Sequence, residues 1–145
     1  MSLSPISVIL ALLVSVALLG GCGKNDDQAA LEAAVQQLQD NLAGKRISET
    51  LKQLHPQFYA QQTHDREWAR RTMALLFMRH QNVMVLALHK TSYIDPIFRE
   101  KGHTEALITL TGGEGLIPDS ARQYRVKLEW WLEDGEWKLA RMGWE

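Results

Sequence analysis

The chain has 145 residues, 46% hydrophobic and 23% charged, which is the composition of one ordinary globular domain with short additions. A formal charge of -1 supplies no global field for nucleic acid, and no nucleic-acid partner is expected. A single cysteine excludes an internal disulfide.

Charge is unevenly placed. No Lys, Arg, Asp or Glu occurs from Met1 to Gly23, and all of them lie from Lys24 onward. The run from Ile6 to Leu19 is apolar except for Ser7 and Ser15, and it passes into Leu19-Gly20-Gly21-Cys22. An apolar core followed by small residues is the pattern of a secretory signal, because the peptidase must bind an extended backbone beside the scissile bond. These four residues resemble the lipobox of bacterial lipoproteins, with Leu three residues before the cysteine and small residues between. The resemblance implies diacylglycerol on the Cys22 sulfur, cleavage between Gly21 and Cys22, and acylation such as palmitate on the new amino terminus. It divides the chain into a signal peptide over 1–21, a lipidated tether over 22–27 and a domain over 28–145. The expected location is the cell envelope, facing the periplasm. Gly23 rather than Asp follows the cysteine, which favours the outer membrane over the inner. An uncleaved membrane helix is the alternative, since ~20 apolar residues span a bilayer. Met1 to Ser7 carries no Lys or Arg, whereas export signals usually begin basic. Both readings place the body on the same side of the membrane.

In the body, Leu31, Ala34, Val35, Leu38 and Leu42 recur at helical spacing, with Asp26 or Asp27 as a cap and Gly44 as a stop. This predicts a helix from about 27 to 43. Ser48 caps a shorter helix carrying Leu51 and Leu54, and Pro56 discourages its continuation. Phe58 and Tyr59 are expected to fold onto the core just after it. Asp65 opens a third helix, with Glu67 in its first turn and a Glu67–Arg71 pair on a solvated face. Ala69, Met73, Leu76 and Phe77 make its apolar stripe, and Arg79 and His80 lie near its end.

After His80 the period changes. Val83 to Leu88 is a continuous apolar run, the mark of a strand buried on both faces. Tyr93 to Phe98 is a Pro-interrupted edge segment. From Glu105 to Thr111 the pattern alternates, with Ala106, Ile108 and Leu110 on one side, and Gly112, Gly113, Gly115 and Pro118 then form a loop. Tyr124, Val126, Leu128, Trp130 and Leu132 alternate with charged residues up to Asp134-Gly135, the strongest short hairpin signal. A two-residue loop sets Leu132 opposite Trp137, Trp130 opposite Leu139 and Trp131 opposite Lys138. Continued without a bulge, that register puts Arg141 on the inner face opposite Leu128. It puts Ala140, Met142 and Trp144 on an apolar outer face; a one-residue bulge changes these partners.

Helices first and an antiparallel meander last is an α+β pattern. Over about residues 28 to 145 it resembles the nuclear-transport-factor-2-like superfamily, also called cystatin-like or ketosteroid-isomerase-like. The leading helices and the segment YRVKLEWWLEDGEWKLARMGW carry the resemblance. It implies a curved antiparallel sheet wrapped on helices as a cone, often holding a pocket, and frequent dimers through the outer sheet face. Many members place a small hairpin between the second and third helices, and Phe58 to Asp65 is too short for one.

No nucleophile motif, phosphate loop or metal-ligand spacing occurs, so no catalytic residue, metal or cofactor is expected. His89, Tyr124 and Arg141 are the candidate pocket residues, because enzymes of the resembling superfamily use acids, histidines or tyrosines inside the cone. An inward Arg141 binds an acidic ligand; one at the rim avoids a costly buried charge. Trp131, Met142 and Trp144 are the candidate interface, covered by a second copy, an envelope protein or the first helix. The leading expectation is a membrane-anchored, non-enzymatic interaction domain. The alternatives are a carrier of a small hydrophobic ligand, lined by Met84, Leu86, Leu88, Ile108, Val126 and Trp130, or a ketosteroid-isomerase-like enzyme with a polar group in its pocket.

Overall fold

The computed structural model describes residues 24–79, 84–111 and 122–145. Helix α1 (Lys24–Ala43) leads into α2 (Ile47–Gln53), β1 (Leu54–Ala60) and α3 (Arg66–Arg79). Strands β2 (Met84–Ile94), β3 (Lys101–Thr111), β4 (Arg122–Glu133) and β5 (Glu136–Trp144) follow. The sheet has the order β1-β5-β4-β3-β2. This is the α+β arrangement expected, helices on a curved sheet, with one difference: β1 pairs parallel to β5, so the sheet is mixed.

The helices form where the apolar spacing predicts. Leu31, Val35 and Leu38 of α1 are buried against the sheet, while the polar residues between them face solvent. Helix α1 opens at Lys24, inside the segment expected to be a tether. It ends through Lys45, which takes φ 55° while the Arg46 N–H bonds the Asn41 carbonyl at 2.8 Å. In α3 the Asp65 carboxylate accepts the Trp68 N–H at 2.9 Å, the cap expected there. Glu67 reaches Arg71 at 3.9 Å and Arg70 more closely.

Two buried amides lock α2 to α1. The Asn41 amide donates to Gln53 Oε1 at 2.9 Å, and the Gln53 amide donates to the Ala34 carbonyl at 3.1 Å. The chain then enters β1, where Leu54, Phe58 and Ala60 are buried. Leu54 therefore belongs to a strand, not to the second helix. Tyr59 pairs with Arg141 and points away from the core.

The β4–β5 hairpin closes on Asp134 and Gly135, both at positive φ (51° and 77°), as its two-residue turn requires. Leu132–Trp137, Trp131–Lys138 and Trp130–Leu139 are opposed as expected. Beyond them β5 carries one extra residue. Glu129 faces Arg141, Leu128 faces Met142 and Val126 faces Trp144, leaving the buried Ala140 without a partner. A second extra residue sits at Leu88 of β2, between the pairs Ala87–Ile108 and His89–Leu107. Strand β2 is not buried on both faces, because Leu86 and Leu88 are exposed. It continues through Tyr93 to Ile94, so no separate edge strand begins at Tyr93.

Among the described residues no helix is long and apolar enough to cross a membrane. The signal segment 1–21, with Gly21, and the lipid-attachment residue Cys22 lie outside the described residues, as do His80, Val83 and the glycine-rich loop after Thr111.

Candidate functional site

The inner face of the sheet and the helices enclose a cavity of about 410 Å³. Helix α1 supplies Val35, Leu38 and Leu42, and α3 supplies Trp68, Ala69, Met73 and Leu76. The sheet supplies Leu54 and Phe58 from β1, Ala106, Ile108 and Leu110 from β3, Val126 and Leu128 from β4, and Leu139, Met142 and Trp144 from β5. Strict alternation on β3 and β4 sends every second side chain inward, which explains most of this wall.

Polar groups are few and lie at the floor or the edge. Thr104 is buried at the floor; its hydroxyl accepts the Trp130 indole N–H at 3.1 Å and lies 2.9 Å from the Ser92 hydroxyl. Tyr124 brings a phenol to the wall. Lys90 of β2 is exposed at the rim, where its ammonium donates to Gln36 at 2.6 Å and Gln39 at 2.8 Å of α1. No carboxylate and no histidine lines the cavity among the described residues, and these residues form no cluster of metal ligands. One end of the wall is aromatic: Trp68 stacks at 6.2 Å between centroids on Trp144, and His64 stacks at 4.4 Å on Trp68. The arrangement can enclose an apolar molecule and offer a hydroxyl or a phenol to one polar end of it.

The two extra residues decide where the expected site residues go. Tyr124 lies in the cavity wall. Arg141 does not face inward: the extra residue at Ala140 turns it to the outer face. There its guanidinium lies 4.8 Å from the Trp131 ring centroid and 5.5 Å from that of Tyr59, and it donates to the Gln57 and Ala140 carbonyls, each at 2.7 Å. The same shift corrects Met142 and Trp144, expected outside, which line the cavity. His89 also faces outward, because the extra residue at Leu88 moves it off the inner side; its Nε2 lies 3.3 Å from the Thr91 hydroxyl. Leu86 and Leu88 are exposed rather than part of the lining, and Ala87 takes their place there. Trp130 is fully buried beneath the cavity floor.

Trp131 stays on the outer face, and charge surrounds it. Its indole N–H donates to Glu129 at 2.7 Å, and Lys101 lies 3.4 Å from the same carboxylate oxygen. Burial pushes the Glu129 carboxyl up, but the indole N–H and the Lys101 ammonium outweigh it and hold the group below its usual range. His55 packs edge-on against Trp131, with centroids 4.7 Å apart. Its Nδ1 accepts the Gln57 N–H at 2.9 Å, and its Nε2 lies 2.7 Å from Glu133 Oε1. His55 itself carried no sequence signal, since β1 joins the sheet only through long-range pairing.

Sequence comparison finds no matching family model and no matching curated relative. Solved structures do match. The structure of Bd1075 from Bdellovibrio bacteriovorus aligns with a TM-score of 0.65 at 12% identity, covering 79% of this chain and 40% of that protein, so this chain spans less than half the length of that relative. A nuclear-transport-factor-2-like protein of unknown function from Pseudomonas putida KT2440 aligns with a TM-score of 0.70 at 8% identity, covering 84% of this chain and 87% of the other. A hexachlorocyclohexane dehydrochlorinase from Novosphingobium barchaimii LL02 aligns with a TM-score of 0.64 at 12% identity, covering 84% and 90%. At these identities the likeness is one of architecture, and the chain has the nuclear-transport-factor-2-like, or cystatin-like, fold.

Proposed function

We propose that this chain is a lipid-anchored envelope protein whose cone takes up a small apolar molecule. The observation that carries the reading is the cavity of about 410 Å³ with its almost wholly apolar wall. Its volume lies within the range of small-molecule sites. Each methylene moved from water into such a wall contributes about 0.8 kcal/mol, so a medium-length alkyl chain outweighs much of the cost of association. The anchor half rests on the sequence Leu19-Gly20-Gly21-Cys22 at the end of an uncharged apolar run. Two or more acyl chains hold a protein stably at a membrane, so the domain needs no spanning helix of its own.

The reading as an interaction domain loses two of its three residues, because Met142 and Trp144 line the cavity. A second copy or an envelope partner instead finds exposed apolar side chains at Leu75 and Met78 of α3 and Leu86 and Leu88 of β2. An enzymatic reading, for which the dehydrochlorinase offers a fold analogy, would have to draw on the polar lining residues Gln39, Thr50, Thr72, Lys90, Thr104 and Tyr124.

Mass spectrometry of the protein purified from its own membranes tests both halves. The expected result is a chain that begins at Cys22 and carries a diacylglycerol thioether, together with an apolar molecule released by organic extraction. A chain that begins at Met1 with a free thiol contradicts the anchor. An extract with no stoichiometric small molecule contradicts the carrier.

A further inference from the structure

We propose that the turn between β2 and β3 is a second membrane contact, one that seats the domain on the lipid surface beside the anchored residue Cys22. The proposal rests on the lipid-anchor reading above.

The turn presents two large apolar side chains to water, Ile97 at 77% and Phe98 at 59% exposure. It is not a loose loop. Asp95 Oδ1 accepts the N–H groups of Ile97 at 2.9 Å and Phe98 at 2.8 Å, and Asp95 Oδ2 lies 2.8 Å from His103 Nε2. Backbone bonds from Lys101 to Phe98 (2.8 Å) and from Asp95 to Lys101 (2.9 Å) close it. A turn this well tied holds Ile97 and Phe98 outward, where neither can fold back on the core. Paired bulky apolar groups on a fixed tip suit insertion at the headgroup–acyl boundary.

The start of α1 lies at the same corner of the sheet. The Gln28 amide donates to the Ser92 carbonyl at 2.8 Å. Leu31 lies so close to Gly102 that a Cβ there would sit 2.8 Å from Leu31 Cδ2. Cys22 precedes Lys24 by two residues, a span of at most about 7 Å, and the four-residue step from Lys24 to Gln28 along the helix adds about 6 Å. The lipid therefore leaves the chain within on the order of 15 Å of Gln28, and Ser92 is three residues from Asp95. A membrane that holds the acyl chains is thereby within reach of the turn.

The contact is apolar rather than electrostatic. Arg99 and Lys101 flank the tip, but Glu100, Glu133, Asp134 and Glu136 share that end of the sheet and offset them. Neutral membranes should therefore suffice. Leu110 and the neighbouring cavity wall lie at the far end of β3, eight residues from Gly102 in an extended strand, on the side away from the lipid.

The test uses the full lipidated protein in phosphatidylcholine vesicles. With Cys22 lipidated, Ile97→Cys introduces the sole free thiol, which takes a bimane fluorophore. Thr63→Cys, in the exposed turn after β1 beyond the opposite end of the sheet, takes the same label as a control. Doxyl groups on the lipid acyl chains should quench the label at position 97 severalfold more than the label at position 63. Equal, weak quenching at both positions overturns the docking; if the intact mass then shows lipidated Cys22, the anchor reading stands alone. An intact mass with unmodified Cys22 overturns the anchor reading, and the docking falls with it.

Discussion

Trp130 and Trp137 are both buried on the inner face of the hairpin, yet their indoles are treated differently. Trp130 donates its N–H to Thr104, whereas the Trp137 N–H has no hydrogen-bond partner among the described residues. An unmet buried donor costs about 1–3 kcal/mol, so removing it offsets part of what the smaller ring loses in packing. Trp130→Phe is expected to destabilise the fold more than Trp137→Phe, by about 1–3 kcal/mol, read from denaturant midpoints. Equal losses would show that the bond to Thr104 contributes nothing. Single residues also decide the two faces of the sheet. Ala140 and Leu88 are each one residue more than their partner strand needs, and each reverses the side chains beyond it. The alternation of Tyr124 to Leu132 and the Asp134-Gly135 turn were legible in the sequence because they are local and strictly periodic. An extra residue is invisible to such a pattern: Arg141, Met142 and Trp144 read equally well on either face until the partner strand is known. A charge at Arg141 was the available signal, since an inward guanidinium without a partner is costly.

At the scale of elements, the three helices were legible from their 3.6-residue spacing and the Asp65 cap. Strand β1 was not. Pro56 and His55 interrupt its alternation, and its pairing with β5 spans most of the chain. A proline is tolerated on an edge strand, which is where β1 lies. The β2–β3 turn likewise looked like an edge strand until its hydrogen bonds placed Asp95 at its centre. The N–H of Phe98, the His103 ring and the N–H of Ile97 hold the Asp95 carboxyl down at about 2, from an ordinary 3.8. Because its folded value is the lower, the charged form is favoured by folding. That stabilisation is fully present above pH 3.8 and is lost as pH falls through about 2. Melting temperatures of the wild-type protein and Asp95→Asn should therefore differ at neutral pH and converge over that acid window. A gap that stays constant down to pH 2 would show that the turn does not depend on the carboxylate.

The whole molecule combines an apolar cavity wall, part aliphatic and part aromatic, with an outer face of interleaved charges. Two of its polar groups are already engaged, Thr104 with Trp130 and Lys90 with two glutamines, so the interior has room for an apolar body and few polar groups to meet it. The inward half of the site was legible on β3 and β4, where Ala106, Ile108, Val126 and Tyr124 alternate without interruption. The halves contributed by β2 and β5 were not, because an extra residue displaces each. Ala106 lies in the middle of β3, opposite Val126 and Lys90, and lines the cavity. The most direct test of the carrier is the binding isotherm of a neutral fluorescent naphthylamine with the wild-type protein and with Ala106→Phe, whose ring fills the space while circular dichroism verifies the fold. The wild type should show saturable one-site binding and the variant at least ~10-fold weaker binding, a change of about 1.4 kcal/mol. Absence of saturable binding to the wild type, or an unchanged isotherm in a folded Ala106→Phe variant, would contradict it.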